Sequence, residues 1–336
     1  IGRKEEVCMI YLILQKNGLG NQMFSYAYAR YLMELYHYDI AINPYAFYDG
    51  KKIDYIDERT ISLQHFRLND AVTFLDEQDQ VKCNQNFEWR KRFSRGLVNI
   101  VKTKIFHGDL RGEEQYIHRS RGGVYLSYEP KAYFKTVMSP CKNIYVQGHF
   151  QDKRYFEKIK YILKKEYCIK TVPSKSNMEM LEKICKTNAV CVHIRRGDYL
   201  NPHWSFLNIC GYDYYLKAIE YMITHVENPT FYIFSNCHKE IEWIKENYHF
   251  EVLAKNHSVD IEYVDLDNPD YEELRLMCAC RHFIIPNSTF SWWAAYLSDN
   301  VKSIVCAPDR WDLRIDDDAG MNCSDWVKIP TGKKEY

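Results

Sequence analysis

The chain has 336 residues, with 45 basic and 45 acidic side chains and a formal net charge of zero. No global field draws it to nucleic acid or to an anionic surface, so any anion site has to be local. The length favours two ordinary domains over one. Twelve scattered cysteines, without a CxxC pair or Cys/His ligand spacing, speak against a metal centre or disulfide framework and for a reducing compartment.

Residues 7–14 form an apolar run between polar flanks, too short to span a bilayer and suited to a first strand. The chain opens on Ile1 rather than Met, which leaves open an upstream signal or anchor. Gly18-Leu19-Gly20 follows, and then Phe24, Ala27, Tyr28, Tyr31 and Leu35 recur at spacings of three and four. The chain therefore opens as strand, glycine turn, helix. Residues 38–43 read as another short strand. Residues 60–135 lack clear alternation and read as a helical, irregular insertion, with basic residues at Arg90, Lys91, Arg92, Arg95, Lys102 and Lys104. Those cations fit a solvated helix face, with an anionic lipid-linked acceptor as the functional alternative.

Order returns with a strand at 143–148 and a helix at 152–167. Pro173 and Ser174 mark a break and a helix start, which places the domain boundary between 1–170 and 171–336. Beyond it, strands at 189–194, 230–235, 250–254, 282–286 and 301–306 alternate with helices at 213–226, 238–247, 270–281 and 290–298. Leu216, Ile219, Ile223 and Val226 form the apolar stripe of the first of these helices. Such alternation specifies a parallel sheet covered on both faces. The class is α/β, with a Rossmann-like second half and a first half that begins as another.

The most informative segment is His193-Ile194-Arg195-Arg196-Gly197-Asp198-Tyr199, directly after the apolar run 189–192. A doubly cationic turn at the carboxyl end of a buried strand lies where open α/β sheets bind ligands, and guanidinium forks match phosphate. The bland alternative is a surface turn in which Asp198 pairs with Arg196, worth about 0–1 kcal/mol if exposed. His193 still belongs to the strand and reads as a core histidine. Gly18 and Gly20 let backbone amides approach a ligand at a helix start, and Asn21 and Gln22 offer exposed amides for sugar hydroxyls; a plain tight turn stays open. Asn287, Ser288 and Thr289 precede an aromatic helix and supply a cap, hydroxyls and a positive helix end for a second phosphate contact. Ser235 and Asn236 end a third strand, where a base or ribose fits. Asp265-Leu266-Asp267 matches the DxD pattern of metal-bound nucleotide sugars, a triplet that also arises by chance. Asp316-Asp317-Asp318 reads as a solvated loop.

GLGNQMF at 18–24, HIRRGDY at 193–199 and NSTFSWWAAYL at 287–297, in that order, closely resemble the bacterial α-1,2-fucosyltransferases of glycosyltransferase family 11. GHFQDKRYF at 148–156, FSN followed by EIEW within 234–243, LMCAC at 276–280 and APDRW at 307–311 support the match, which spans about 9–330. The resemblance implies a GT-B architecture: two Rossmann-like domains facing across a cleft, the second holding GDP-fucose, with no metal and no other cofactor. It implies that Arg195 binds the diphosphate, that His193 and Arg196 shape its turn, and that Ser288 and Thr289 add phosphate contacts. Asn236 and Glu273 match positions near the guanosine, and Asn21 faces the donor from the first domain. Where the family usually carries Asp-Asp after Phe-Ser, this chain has Asn236-Cys237.

The implied reaction is inverting transfer of L-fucose from GDP-β-L-fucose to the 2-hydroxyl of a terminal β-galactoside in a glycan. Fixed cations help most where negative charge grows on the leaving diphosphate, which makes Arg195 the leading catalytic residue. Asp198 is the candidate base, against a purely orienting role with a phosphate oxygen taking the proton. The expected setting is cytoplasmic, peripheral at the inner face of the membrane if the acceptor is lipid-linked, with no nucleic-acid partner. Two alternatives stand: the same donor with another acceptor hydroxyl, and a non-catalytic nucleotide-sugar or glycan-binding protein.

Overall fold

The computed structural model describes residues 8–48, 59–106, 119–121, 123–127, 133, 136, 138–298 and 300–331; the side chains of 93–106, 119–121 and Asp198 lie outside that description. The described residues fall into two compact units that meet in sequence at Cys168 and Ile169.

The first unit contains β1 (Met9–Ile13), α1 (Leu19–Tyr36), β2 (Asp39–Asn43), α2 (Tyr45–Tyr48), β3 (Val72–Phe74), α3 (Glu77–Phe106), β4 (Arg119–Arg121), β5 (Val124–Ser127), β6 (Asn143–Gly148) and α4 (Lys160–Glu166). Its sheet runs β3-β2-β1-β6-β5-β4, parallel throughout except where β4 meets β5. Helix α1 is apolar on most sides and is covered accordingly, with Met23, Phe24, Tyr26, Ala27, Tyr28, Ala29 and Leu32 all inaccessible. It stops at His37, whose left-handed backbone sends its N–H to the Met33 carbonyl.

Residues 152–167 are not one helix. Asp152 accepts from the Arg154 amide and starts a single 3-10 turn. Phe156, at φ −138° and ψ 5°, breaks the run, with its ring fully buried against Phe24. Only α4 is regular. The basic run lies on α3, where the Arg90 guanidinium sits over the Tyr145 ring and Lys91 over Phe87.

The second unit contains α5 (Lys175–Lys186), β7 (Asn188–His193), α6 (Tyr212–His225), β8 (Pro229–Phe234), α7 (His238–Tyr248), α8 (Phe250–His257), β9 (Asp260–Tyr263), α9 (Asp270–Cys278), β10 (His282–Ile284), α10 (Thr289–Leu297), β11 (Val305–Pro308) and β12 (Val327–Ile329). The wholly parallel sheet runs β9-β8-β7-β10-β11-β12. Numbered within the unit this is 3-2-1-4-5-6, the dinucleotide-binding order. The order reverses between β7 and β10, and the crevice outside their carboxyl ends is where such sheets hold ligands.

Two sequence expectations shift here. Residues 250–254 belong to α8, and the strand is β9, ten residues on. A short apolar run does not distinguish strand from helix by periodicity; only Phe250 of α8 is buried, with Val252 exposed, and a one-sided run suits a surface helix. On α6 the buried stripe is Tyr214, Tyr215, Ala218, Ile219 and Met222, rotated from the expected one because two adjacent tyrosines take the core positions. Among the described residues, no helix is long and apolar enough to cross a membrane.

Candidate functional site

Strand β7 is buried along five of its six residues and delivers His193, Ile194, Arg195 and Arg196 to the strand-order switch. The turn is tied to β8: the Ile194 amide donates to the Phe234 carbonyl at 2.9 Å, and Ser235 Oγ donates to the Ile194 carbonyl at 2.8 Å. The Arg196 amide reaches Asn236 Oδ1 at 3.4 Å. Gly197, at φ +26°, lies against the Asn236 amide, where a Cβ would stand 2.8 Å from Nδ2. Tyr199 then joins the turn to the end of β10 by donating its hydroxyl to the Asn287 carbonyl at 2.9 Å.

The two arginines part company. Arg196 Nε donates to Glu240 Oε2 at 2.7 Å, and its guanidinium carbon lies 3.1 Å from the centre of the Trp243 ring. Its partner among the described side chains is Glu240 of α7, 44 residues away. Arg195 lies 5.6 Å over the Tyr199 ring, and its charge reaches two titratable groups. Burial, with Arg195 second, pushes His193 down to about 3, so that ring is neutral. Burial also raises the Glu273 carboxyl to about 8, with Asp270 and Asp265 adding to the rise and Arg195 opposing it. Neighbouring Glu272 is engaged with Arg275 at 2.9 Å.

Helix α10 begins beside this turn. Ser288 is its N-cap without a side-chain capping bond, and the amides of a first turn have no helical carbonyl to meet. Asn287 is not a cap. It is buried, and its amide donates to the Leu207 and Trp311 carbonyls at 2.9 and 2.7 Å, so its side chain ties those loops together. Trp292 and Trp293 are core residues with no exposure.

The sequence profile of Glycosyl transferase family 11 matches residues 124–329. An alpha-1,2-colitosyltransferase of Escherichia coli is 31% identical over 323 residues, covering 93% of this chain and 96% of that protein. The chain belongs to glycosyltransferase family 11. An O-antigen biosynthesis glycosyltransferase of Escherichia coli, WbnK, is 28% identical over 88% of this chain and 92% of its own length. Human galactoside alpha-(1,2)-fucosyltransferase 1 is 29% identical over 42% of this chain and 38% of its own. The chain is thus a glycosyltransferase, and two Rossmann-like units are the GT-B fold class that its motifs implied.

Within this family member, the first-unit motif needs correcting. Helix α1 starts at Leu19, with Gly18 as its N-cap, so Gly20 lies in the first helical turn and is buried. Gln22 is not an exposed amide but is 2% accessible. Its Nε2 donates to the carbonyls of Asn17 and Thr60 at 2.9 and 2.8 Å, and its Oε1 accepts from the Ser62 amide at 3.1 Å. It stitches residues 60–62 to the glycine turn. Asn21 is only partly covered, and its Oδ1 accepts from Gln151 at 2.7 Å. That bond ties the segment after β6 to α1, from which Ser25 Oγ also donates to the Gly148 carbonyl at 2.6 Å.

The second unit gathers His193, Arg195, Arg196, Ser235, Asn236, Asn287, Ser288 and Thr289 at adjoining strand ends, with Glu273 in the field of Arg195. Asp198 lies on the 3-10 turn Gly197–Leu200, and its side chain is outside the described residues. Glu240, Trp243 and Tyr199 were not predicted as site residues. The signal for the first two was present in EIEW, where positions three apart on a helix share a face. His238, Glu242 and Asp265 place three potential metal ligands within 4.8 Å of one another; Asp267 is not among them, and His238 Nδ1 already pairs with Asp265 at 2.5 Å. Asp318 is not solvated but mostly buried, and it pairs with Lys328 at 2.8 Å.

Proposed function

We propose that this family member transfers L-fucose from GDP-β-L-fucose to the 2-hydroxyl of a terminal β-galactoside, with inversion and without a metal ion. The observation that carries the reading is Arg195 at the carboxyl end of β7, beside the start of α10, at the strand-order switch of a family 11 chain. As the bond from the anomeric carbon to the β-phosphate oxygen breaks, negative charge grows on the diphosphate. A fixed guanidinium and helix-end amides stabilise that charge more in the transition state than in the ground state. Ser288 and Thr289 would add contacts to the same phosphates. Asn236, beside the turn, and Glu273, a carboxyl that stays protonated up to about pH 8, would lie towards the nucleoside.

The acceptor hydroxyl attacks from the face opposite the leaving group and loses its proton. Asp198 is the proposed acceptor of that proton, with a phosphate oxygen as the competing one. Asp198→Asn separates them: a base role predicts a fall in kcat of about 10²–10⁴ with GDP affinity unchanged, and a phosphate base predicts an unchanged kcat.

The colitosyltransferase matches this chain over far more of its length than the human fucosyltransferase does. That observation favours a second reading, in which the sugar moved is colitose. Incubating the purified chain with GDP-fucose or GDP-colitose and a panel of β-galactosides, with linkage analysis of the product, decides between them. Expected is GDP release with an α-1,2-linked product, insensitive to EDTA. A folded protein that makes no product from either donor overturns the proposal. Loss of turnover in EDTA overturns the metal-free part and redirects attention to His238, Glu242 and Asp265.

A further inference from the structure

We infer that Glu240 and Trp243 are positioning residues that clamp Arg196, so that Arg196 braces the strand-end turn and Arg195 is the arginine that meets the diphosphate. The inference rests on the transferase reading above and assigns each arginine a separate task.

Three observations support it. Glu240 and Trp243 are one helical turn apart on α7 and hold two different surfaces of one guanidinium. The carboxylate takes Nε in the plane of the fork at 2.7 Å, and the indole covers its face with the ring centre 3.1 Å from Cζ. A planar, delocalised cation satisfies both contacts at once, whereas an ammonium satisfies only one. The pair is also sheltered, with side-chain exposures of 16% for Arg196 and 14% for Glu240. Its Coulomb energy is therefore little screened, and the Arg196 charge is already balanced before any phosphate arrives. Finally, the Arg196 backbone is part of the turn itself. Its amide is bonded to Asn236, and its carbonyl accepts from the Tyr199 amide at 2.7 Å. Fixing the Arg196 side chain on α7 thus fixes the peptide that follows Arg195, with Asn236 packed against Gly197 on the other side.

The clamp and a direct phosphate grip by Arg196 predict opposite signs. If Arg196 bound phosphate itself, removing Glu240 would unmask a cation, and GDP would bind as well as before or more tightly. Under the clamp, Glu240→Ala weakens GDP binding about tenfold, read by calorimetry with GDP as the probe. Arg196→Ala added to that background costs little more. Arg196→Lys keeps the charge but loses the fork, so it behaves like Arg196→Ala, and Glu240→Gln, which keeps a carbonyl acceptor, recovers most of the affinity. Unchanged or tighter GDP binding in Glu240→Ala, or wild-type affinity in Arg196→Lys, overturns the clamp. Thermal unfolding of the ligand-free variants gives a second readout: single losses that are not additive support the clamp, and additive losses overturn it. Failure of the transferase reading looks different. The wild type would bind GDP yet move no sugar, and the ratio of variant to wild-type GDP affinity would still report on the clamp.

Discussion

At the carboxyl ends of β1 and β6 the first unit gathers Gly18, Asn21, Gln22, His149 and Gln151, neutral groups that mostly hydrogen-bond to one another or to nearby backbone. Burial holds His149 uncharged by lowering it to about 4. At the ends of β7 and β10 the second unit gathers the charged groups Arg195, Arg196 and Glu240, with the protonated carboxyl of Glu273 in the field of Arg195. Both sheets place a parallel strand order reversal at this edge. The fold supplies the edge, and the residues that close each strand decide whether it suits hydroxyls or phosphates.

The sharpest way to break this comparison is Arg195→Ala. Loss of one preorganised cation at the leaving group is expected to lower kcat about 10²–10³-fold, measured as GDP release, with the unfolding midpoint little changed. A variant that keeps its turnover would remove the functional distinction between the two edges.

On the first edge the expected losses are in stability. Gly148 ends β6 at φ +140°, and a Cβ there would lie 2.0 Å from the Ser127 carbonyl oxygen. Gly148→Ala is expected to cost about 3 kcal/mol in chemical denaturation, from backbone strain and forced displacement of β5. Gln22→Ala should cost about 2 kcal/mol, because it strands the buried backbone amides of Ser62 and Leu63. If Gln22→Ala instead raised the acceptor KM at unchanged stability, Gln22 would return to the ligand site.

A further effect is expected on pH dependence, and it differs in sign between two second-unit residues. His193 has a folded pKa of about 3, below its unfolded value, so its contribution is complete above about pH 6.5 and is lost as pH falls towards 3. Glu273 has a folded pKa of about 8, above its unfolded value, so the native state holds the extra proton and stability declines from about pH 4.5 to 8. Glu273→Gln should flatten the alkaline decline, and His193→Asn the acid one, in unfolding midpoints followed across pH. An unaltered profile in Glu273→Gln would show that its carboxyl ionises normally.

Much of the site was legible because it is local. The apolar run before His193, the polar turn after it and the segment Asn287-Ser288-Thr289 before an aromatic helix each announce a strand end or a helix start within a few residues. Amide orientation was not legible. Gln22 and Asn287 are polar residues beside such turns, and their sequence neighbourhoods resemble that of Asn21, which is partly covered. Yet both are turned into the protein by backbone carbonyls 24 to 80 positions away. Residues 250–254 failed for a related reason: whether a short apolar run is a strand or a helix depends on whether one face or two are covered.

The α/β class, most of the strand and helix alternation, the position of the cationic turn and the family follow from the amino-acid sequence, because strand and helix periodicity and motif order are properties of neighbouring residues. The division of labour between Arg195 and Arg196 does not. They are adjacent and chemically identical, and what separates them is a carboxylate and an indole more than forty residues further along, brought beside one of the two by the packing of α7 next to the end of β7.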